Sequence, residues 1–207
     1  YGAIWGGLGA TFHHNLIAHH DSRNPRFNGA RTHGSADELV DMRNNVIYNW
    51  RGNSTYGGEP TDSGLQSRQN MINNTYKPGP ATGTGAIGHR LLEPSENPLS
   101  TGPRFSLYHI AGNHTTASET VTADNWAGGV QGVSAEEFPV MRADAPFVVP
   151  PVVTQSAQDS YQLVLANAGC RMPARDAVDA RIVAETANGT ATFRGSVNQM
   201  PGIIDSQ

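Results

Sequence analysis

Four short apolar alternations in this chain each run into an asparagine: Phe12-x-His14-Asn15, Met42-x-Asn44-Asn45, Met71-x-Asn73-Asn74 and Ile110-x-Gly112-Asn113. The terminal asparagines are 30, 29 and 39 residues apart. A period of that size is the mark of a solenoid with one coil per repeat, the longer third interval absorbing the insertion LLEPSENPLSTGP at 91–103. Strands stacked about 4.8 Å apart let side-chain amides bond up and down the stack, so the asparagines predict an amide ladder. Such a ladder satisfies polar groups whose burial would otherwise be costly. Asparagine is common at isolated turns, but four similar registers favour the ladder.

Beyond Asn113 the repeat stops. Residues 114–154 carry Pro139, Pro146, Pro150 and Pro151 and predict an extended arm along the outside of the solenoid. In Ser156–Ala168, Tyr161, Val164, Leu165 and Ala168 recur at close to helical spacing, with Gly169 as a stop; Asp176–Glu185 predicts a further helical turn or two. The expected organisation is therefore 1–113 as coils and 114–207 as an arm and short helices packing on the same domain.

At 207 residues the chain is long enough for one sizeable core. A formal charge of −4 gives no reason to expect nucleic acid, and no stretch approaches the roughly 20 apolar residues of a membrane span. Cys170 is the single cysteine, which excludes an internal disulfide. Local charge is more telling. In Ser22-Arg23-Asn24-Pro25-Arg26-Phe27 the proline fixes its own φ and biases Asn24 towards an extended conformation, so Arg23 and Arg26 are expected on a stiff strand end. Guanidinium groups placed this way can grip carboxylates through paired hydrogen bonds.

The run HHNLIAHHDSRNPRF from His13, with DMRNNVIYNWRGNSTYGG from Asp41, NNTYKPGPAT at 73–82 and RDAVDARIV at 175–183, resembles the pectate lyase family of polysaccharide lyases. The resemblance implies an all-β, right-handed parallel β-helix that cleaves polygalacturonate, an acidic polysaccharide, by calcium-assisted β-elimination outside the cell. It places the catalytic base at Arg23. Arg26 matches a second family arginine that binds a substrate carboxylate or braces the first. Five positions after the base, where a further arginine is often found, stands Asn28, which with Arg26 and Tyr56 completes the expected substrate contacts; Arg31 or Arg43 could reach in from the next coil. The family's Ca2+ ligands lie upstream of the His-His-Asn strand, so the metal is expected to be held by a missing amino-terminal portion, with this chain as the carboxyl-terminal part of a longer enzyme.

Other readings stay in view. His13, His14, His19, His20 and His33 could suggest a transition-metal site, but adjacent residues on a strand face opposite ways and do not readily share one ion. Tyr48, Trp50 and Tyr56 beside Gly57-Gly58 could stack on sugar faces or simply pack. A glycoside hydrolase would need two carboxylates flanking the bond, for which Asp37, Glu38 and Asp41 are the dense candidates. The main alternative is a β-helical carbohydrate-binding or structural segment without catalysis.

Overall fold

The computed structural model describes residues 1–30 and 37–192; Arg31 and His33 lie outside them. Twelve short strands wind into four coils of three. The first coil holds β1 (Ile4–Trp5), β2 (Leu8–His13) and β3 (Leu16–Ala18), and the second β4 (Arg26–Phe27), β5 (Leu39–Arg43) and β6 (Val46–Tyr48). The third holds β7 (Thr55–Gly57), β8 (Arg68–Ile72) and β9 (Thr75–Lys77), and the fourth β10 (Leu92–Pro94), β11 (Leu107–Ala111) and β12 (His114–Thr115). Equivalent strands pair in parallel as three sheets: β1-β4-β7-β10 (sheet A), β2-β5-β8-β11 (sheet B) and β3-β6-β9-β12 (sheet C). The chain is a right-handed parallel β-helix.

The repeat is written in the turn between sheets B and C. Each turn has two residues, His14-Asn15, Asn44-Asn45, Asn73-Asn74 or Gly112-Asn113, and the first of each pair takes a left-handed φ of 55°, 54°, 51° or 66°. Asparagine and glycine reach that region at least cost, which explains their recurrence there. At Gly112 a Cβ would in addition collide with the Asn73 side chain. The second residue of each pair forms the ladder. Asn15 gives its backbone N–H (3.0 Å) and its side-chain amide (2.9 Å) to Asn45 Oδ1, Asn45 does the same to Asn74, and Asn74 to Asn113. A fifth rung was not visible in the repeat: Asn125, after a short helix, accepts both bonds from Asn113 at 2.9 and 3.0 Å.

Inside the coils, alternation sends Phe27, Val40, Met42, Ile47, Met71, Tyr76, Tyr108 and Ile110 into one continuous core. Trp5 stacks flat on Phe12 at the first coil, with ring centroids 4.5 Å apart. Trp50 and Tyr48 are fully buried; Tyr48 lies within β6, not on the loop after it. They are packing residues, and of the three aromatics only Tyr56 remains partly exposed.

The fourth coil is closed by residues expected to belong to the arm. Helix α1 (Glu119–Ala123), capped by Ser118, brings Val121 and Trp126 onto the core, Val130 bridges to Leu92 of β10, and α2 (Phe138–Met141) buries Met141. Covering these strand edges removes unpaired backbone groups from water and from other chains. The extended arm starts only after α2. It descends across sheet B, where Asn70 exchanges two 2.9 Å bonds with the Phe147 backbone and Asn44 exchanges 2.9 and 3.0 Å bonds with Gln155. Two asparagine side chains thus imitate strand pairing.

Two helices then cover sheet C. Helix α3 (Ala157–Asn167) is capped by Ser156 and followed by Gly169 at φ 80°, close to the expected limits. Helix α4 (Ala177–Asn188) is longer than expected, running past Glu185 to a left-handed Gly189, because its last turn is anchored to the solenoid. Lys77 Nζ donates to the Thr186 and Ala187 carbonyls at 2.8 Å each, satisfying two acceptors that a helix end leaves open.

Candidate functional site

With the arm on sheet B and the helices on sheet C, the arginines of interest fall on the remaining face. Outward-pointing side chains of sheet A stand in register as Ile4, Arg26, Tyr56 and Glu93. Their inward neighbours Trp5, Phe27, Gly57 and Pro94 line the core side, so each two- or three-residue strand offers one outward position.

Arg26 opens β4 and is held on two sides. Its guanidinium lies 5.2 Å from the Tyr56 ring centroid and is ion-paired to Glu59, with both side chains about one-sixth exposed (16 % and 17 %). The structure sets Arg26 beside Tyr56, both named from the sequence. Nothing in the sequence pointed to Glu59, because that contact depends on the lateral pairing of coils and not on spacing along the chain.

Arg23 differs from expectation in its presentation. It stands before β4 in the bend that carries the chain from sheet C to sheet A, with φ 64°, and is not part of an extended strand end. That bend must reverse direction within a few residues, which an extended segment could not do. A left-handed φ is uncommon for arginine and stores strain of the kind found at functional sites. The guanidinium lies 4.3 Å from the Tyr1 ring centroid, and its Nε is buried without a hydrogen-bond partner among the described residues.

Charge on this face is mostly cancelled. Arg26 pairs with Glu59, Arg51 with Asp21, and Arg90 with Glu93 at 2.8 Å. Among the described residues, Arg23 has no carboxylate partner. Burial lowers the Arg90 pKa, the Glu93 charge opposing it, although Arg90 stays paired. Asn53, one coil above Ser22, accepts from the Ser22 hydroxyl at 3.1 Å and donates to Glu93 Oε2 at 2.9 Å, tying the bend to the fourth coil.

Asn28 follows β4, is partly exposed and donates to the Gly29 carbonyl at 3.1 Å. Arg43 does not reach sheet A. It lies on β5, bonded to Asp41 and, at 3.0 Å, to Thr154 of the arm. Asp41 is fully buried in that contact, Glu38 is fully buried and Asp37 is exposed, so the three do not flank a common open cleft. His13 and His14 touch through their Nδ1 atoms at 2.8 Å, and His14 Nε2 meets Gln155 at 2.9 Å. Among the described residues no group of three or more His, Cys, Asp or Glu could hold a metal ion. The calcium ligands that the resemblance implies are expected upstream of the His-His-Asn strand, and none is assigned to these residues.

A cavity of about 610 Å³ adjoins the Arg26–Glu59 pair, lined among others by Glu59, Asp62, Ser63 and Glu96. It lies beside Ala30 and the loops after β7 and β10; Glu59 is paired there with Arg26 and Glu96 with Arg104, and Asp62 accepts from Asn97 at 2.9 Å.

No family model matches this chain. It is 26 % identical over 186 residues to a protein of Aspergillus terreus described as "Probable pectate lyase C", an alignment covering 89 % of this chain and 38 % of that relative. The chain thus spans well under half the length of the curated relative it matches. The likeness supports a distant relationship of the pectate lyase kind. No helix among the described residues is long and apolar enough to cross a membrane.

Proposed function

We propose that the chain forms the arginine-bearing part of an extracellular polysaccharide lyase that cleaves a polygalacturonate-type chain by β-elimination. The observation that carries this reading is Arg23: a strained, left-handed residue with a guanidinium free of carboxylate partners among the described residues, on the partly open face of a parallel β-helix. The distant relative named as a probable pectate lyase supports it.

The reaction takes the proton from C5 of a uronic unit. The C5–H electrons form the C4=C5 double bond, the C4–O bond breaks, and the leaving oxygen gains a proton. Arg23 in its neutral form is the proposed acceptor of the C5 proton. The neutral form of a guanidinium is scarce, so proton abstraction draws on a minor population of the group. As a cation, the same group would steady the charge that develops beside C5. Arg26, fixed by Glu59 and Tyr56, braces the neighbouring sugar; Tyr56 offers its ring, and Asn28 its amide. Calcium, when bound, would neutralise the uronate carboxylate.

The test is the rate at which unsaturated product, absorbing in the near ultraviolet, forms from polygalacturonate with added calcium. Arg23→Lys should abolish most of that rate and leave binding of the polymer nearly intact, because lysine keeps the charge but not the reach or planar geometry. Reducing ends without unsaturation would move the reading to hydrolysis. Binding with no turnover would favour a carbohydrate-binding segment.

A further inference from the structure

Glu59 belongs to no expectation drawn from the sequence, yet it sets the charge of the candidate site. Its carboxylate already occupies the Arg26 guanidinium, and its Oε2 is buried without a hydrogen-bond partner. A substrate carboxylate arriving at Arg26 would have to displace Glu59 into that buried setting or share one cation with it. Both choices are unfavourable, since a buried charge needs a partner and like charges repel strongly where water is scarce. The adjoining cavity offers an anion no compensating cation among its described lining residues, and adds the Asp62 carboxylate beside Glu59, while its Glu96 is paired with Arg104 at 2.6 Å. An uncharged ester meets none of these penalties. It would rest against the partly exposed Tyr56 ring beside a neutral ion pair.

We propose that Glu59 is a specificity residue: by neutralising Arg26 it selects a polygalacturonate chain whose unit at Arg26 and Tyr56 is methyl-esterified, leaving Arg23 as the site's arginine without a carboxylate partner among the described residues. The inference rests on the uronate-chain reading above and adds the charge state of one bound unit. Its substrate class is partly esterified pectin, not the fully ionised polymer.

The experiment measures binding of this chain by calorimetry at low salt. The probes are a de-esterified oligogalacturonide and the fully methyl-esterified oligomer of equal length, with wild type and Glu59→Gln compared. The wild type should bind the esterified oligomer at least as tightly as the ionised one. Glu59→Gln should tighten the ionised oligomer by about tenfold, the scale of a close charge pair released to a new partner, and change the esterified one by less than about twofold. An unchanged ratio in the variant, or a wild type preferring the ionised oligomer by about tenfold, overturns the proposal while sparing the uronate-chain reading. If neither oligomer binds the wild type, that reading falls and the proposal with it. The wild-type ratio decides even if the variant folds poorly.

Discussion

His19 Nε2 lies 2.9 Å from Glu185 Oε2, joining the bend after β3 to the last turn of α4 across a contact almost closed to solvent. The other ring nitrogen, Nδ1, faces the Asn49 amide at 2.8 Å. Asn49 is not free to turn over, because its Oδ1 accepts the Ala81 N–H at 2.7 Å. Nδ1 must therefore accept, which fixes the neutral Nε2–H tautomer. Burial lowers the His19 pKa; Glu185 acts to raise it, without prevailing. For Glu185, burial acts to raise the pKa, but the hydrogen bonds from Thr192 and Arg181, with the His19 ring beside them, hold it below the usual range.

Acid should therefore loosen α4. A histidine whose folded pKa is lowered contributes stability above its unfolded value of about 6.5 and loses it as pH falls through the folded value. Glu185 acts in the same sense at lower pH. The melting midpoint should drop as pH falls from neutral towards the histidine range and below, by about 3 °C per kcal/mol lost. In His19→Asn, which suits the left-handed φ of 62°, the drop should be shallower. His20 and His114, also lowered by burial, leave a residual slope. Parallel curves for the two proteins would show that His19 is not the sensor.

A ladder made of equivalent rungs should still respond unequally to mutation. Asn74→Ala leaves the buried Asn45 backbone N–H without its acceptor and removes the side-chain amide that donates to Asn113 Oδ1 and the Met42 carbonyl, while the Asn74 backbone N–H still reaches Asn113 Oδ1. At roughly 1–3 kcal/mol for a buried group left unpaired, the loss should be about 2 kcal/mol or more. Asn15→Ala, at the exposed end, should cost about 1 kcal/mol or less. Denaturant melts of both variants read the difference, and equal costs would mean that burial does not govern the ladder.

Lys77→Met should free the end of α4 without disturbing the coils. The substitution keeps the aliphatic stem and removes the ammonium that holds the Thr186 and Ala187 carbonyls. A cost of about 1–2 kcal/mol is expected for the lost charged hydrogen bonds. Hydrogen exchange should accelerate in α4 and stay unchanged in β5 and β8. Faster exchange throughout would instead mean that α4 and the solenoid open together.

The solenoid was legible in the sequence because its determinants are local and repeated. Asn15, Asn45, Asn74 and Asn113 recur where the backbone needs a left-handed residue followed by an amide. Asn125 was not legible, since it enters the same column from a helix only 12 residues after Asn113. The capping role of 114–142 was hidden for a similar reason: Val121, Trp126 and Met141 are spaced for three short elements and not for a coil. At the candidate site, Arg23, Arg26 and Tyr56 could be named from the chain. Glu59 could not, nor could the pairing of Arg51 with Asp21, because these contacts arise between coils whose loop lengths set the lateral register.

The amide column also has a direction. From Asn15 to Asn113 each rung donates one side-chain N–H to the Oδ1 of the next rung, while Asn45, Asn74 and Asn113 also donate to a backbone carbonyl of the coil before. At the first coil the series stops on Asn15 Oδ1, which no donor reaches among the described residues. A parallel strand bringing N–H groups would continue the series. The column thus carries a polarity, which on its Asn15 side is continued by N–H donors and not by further carbonyl oxygens.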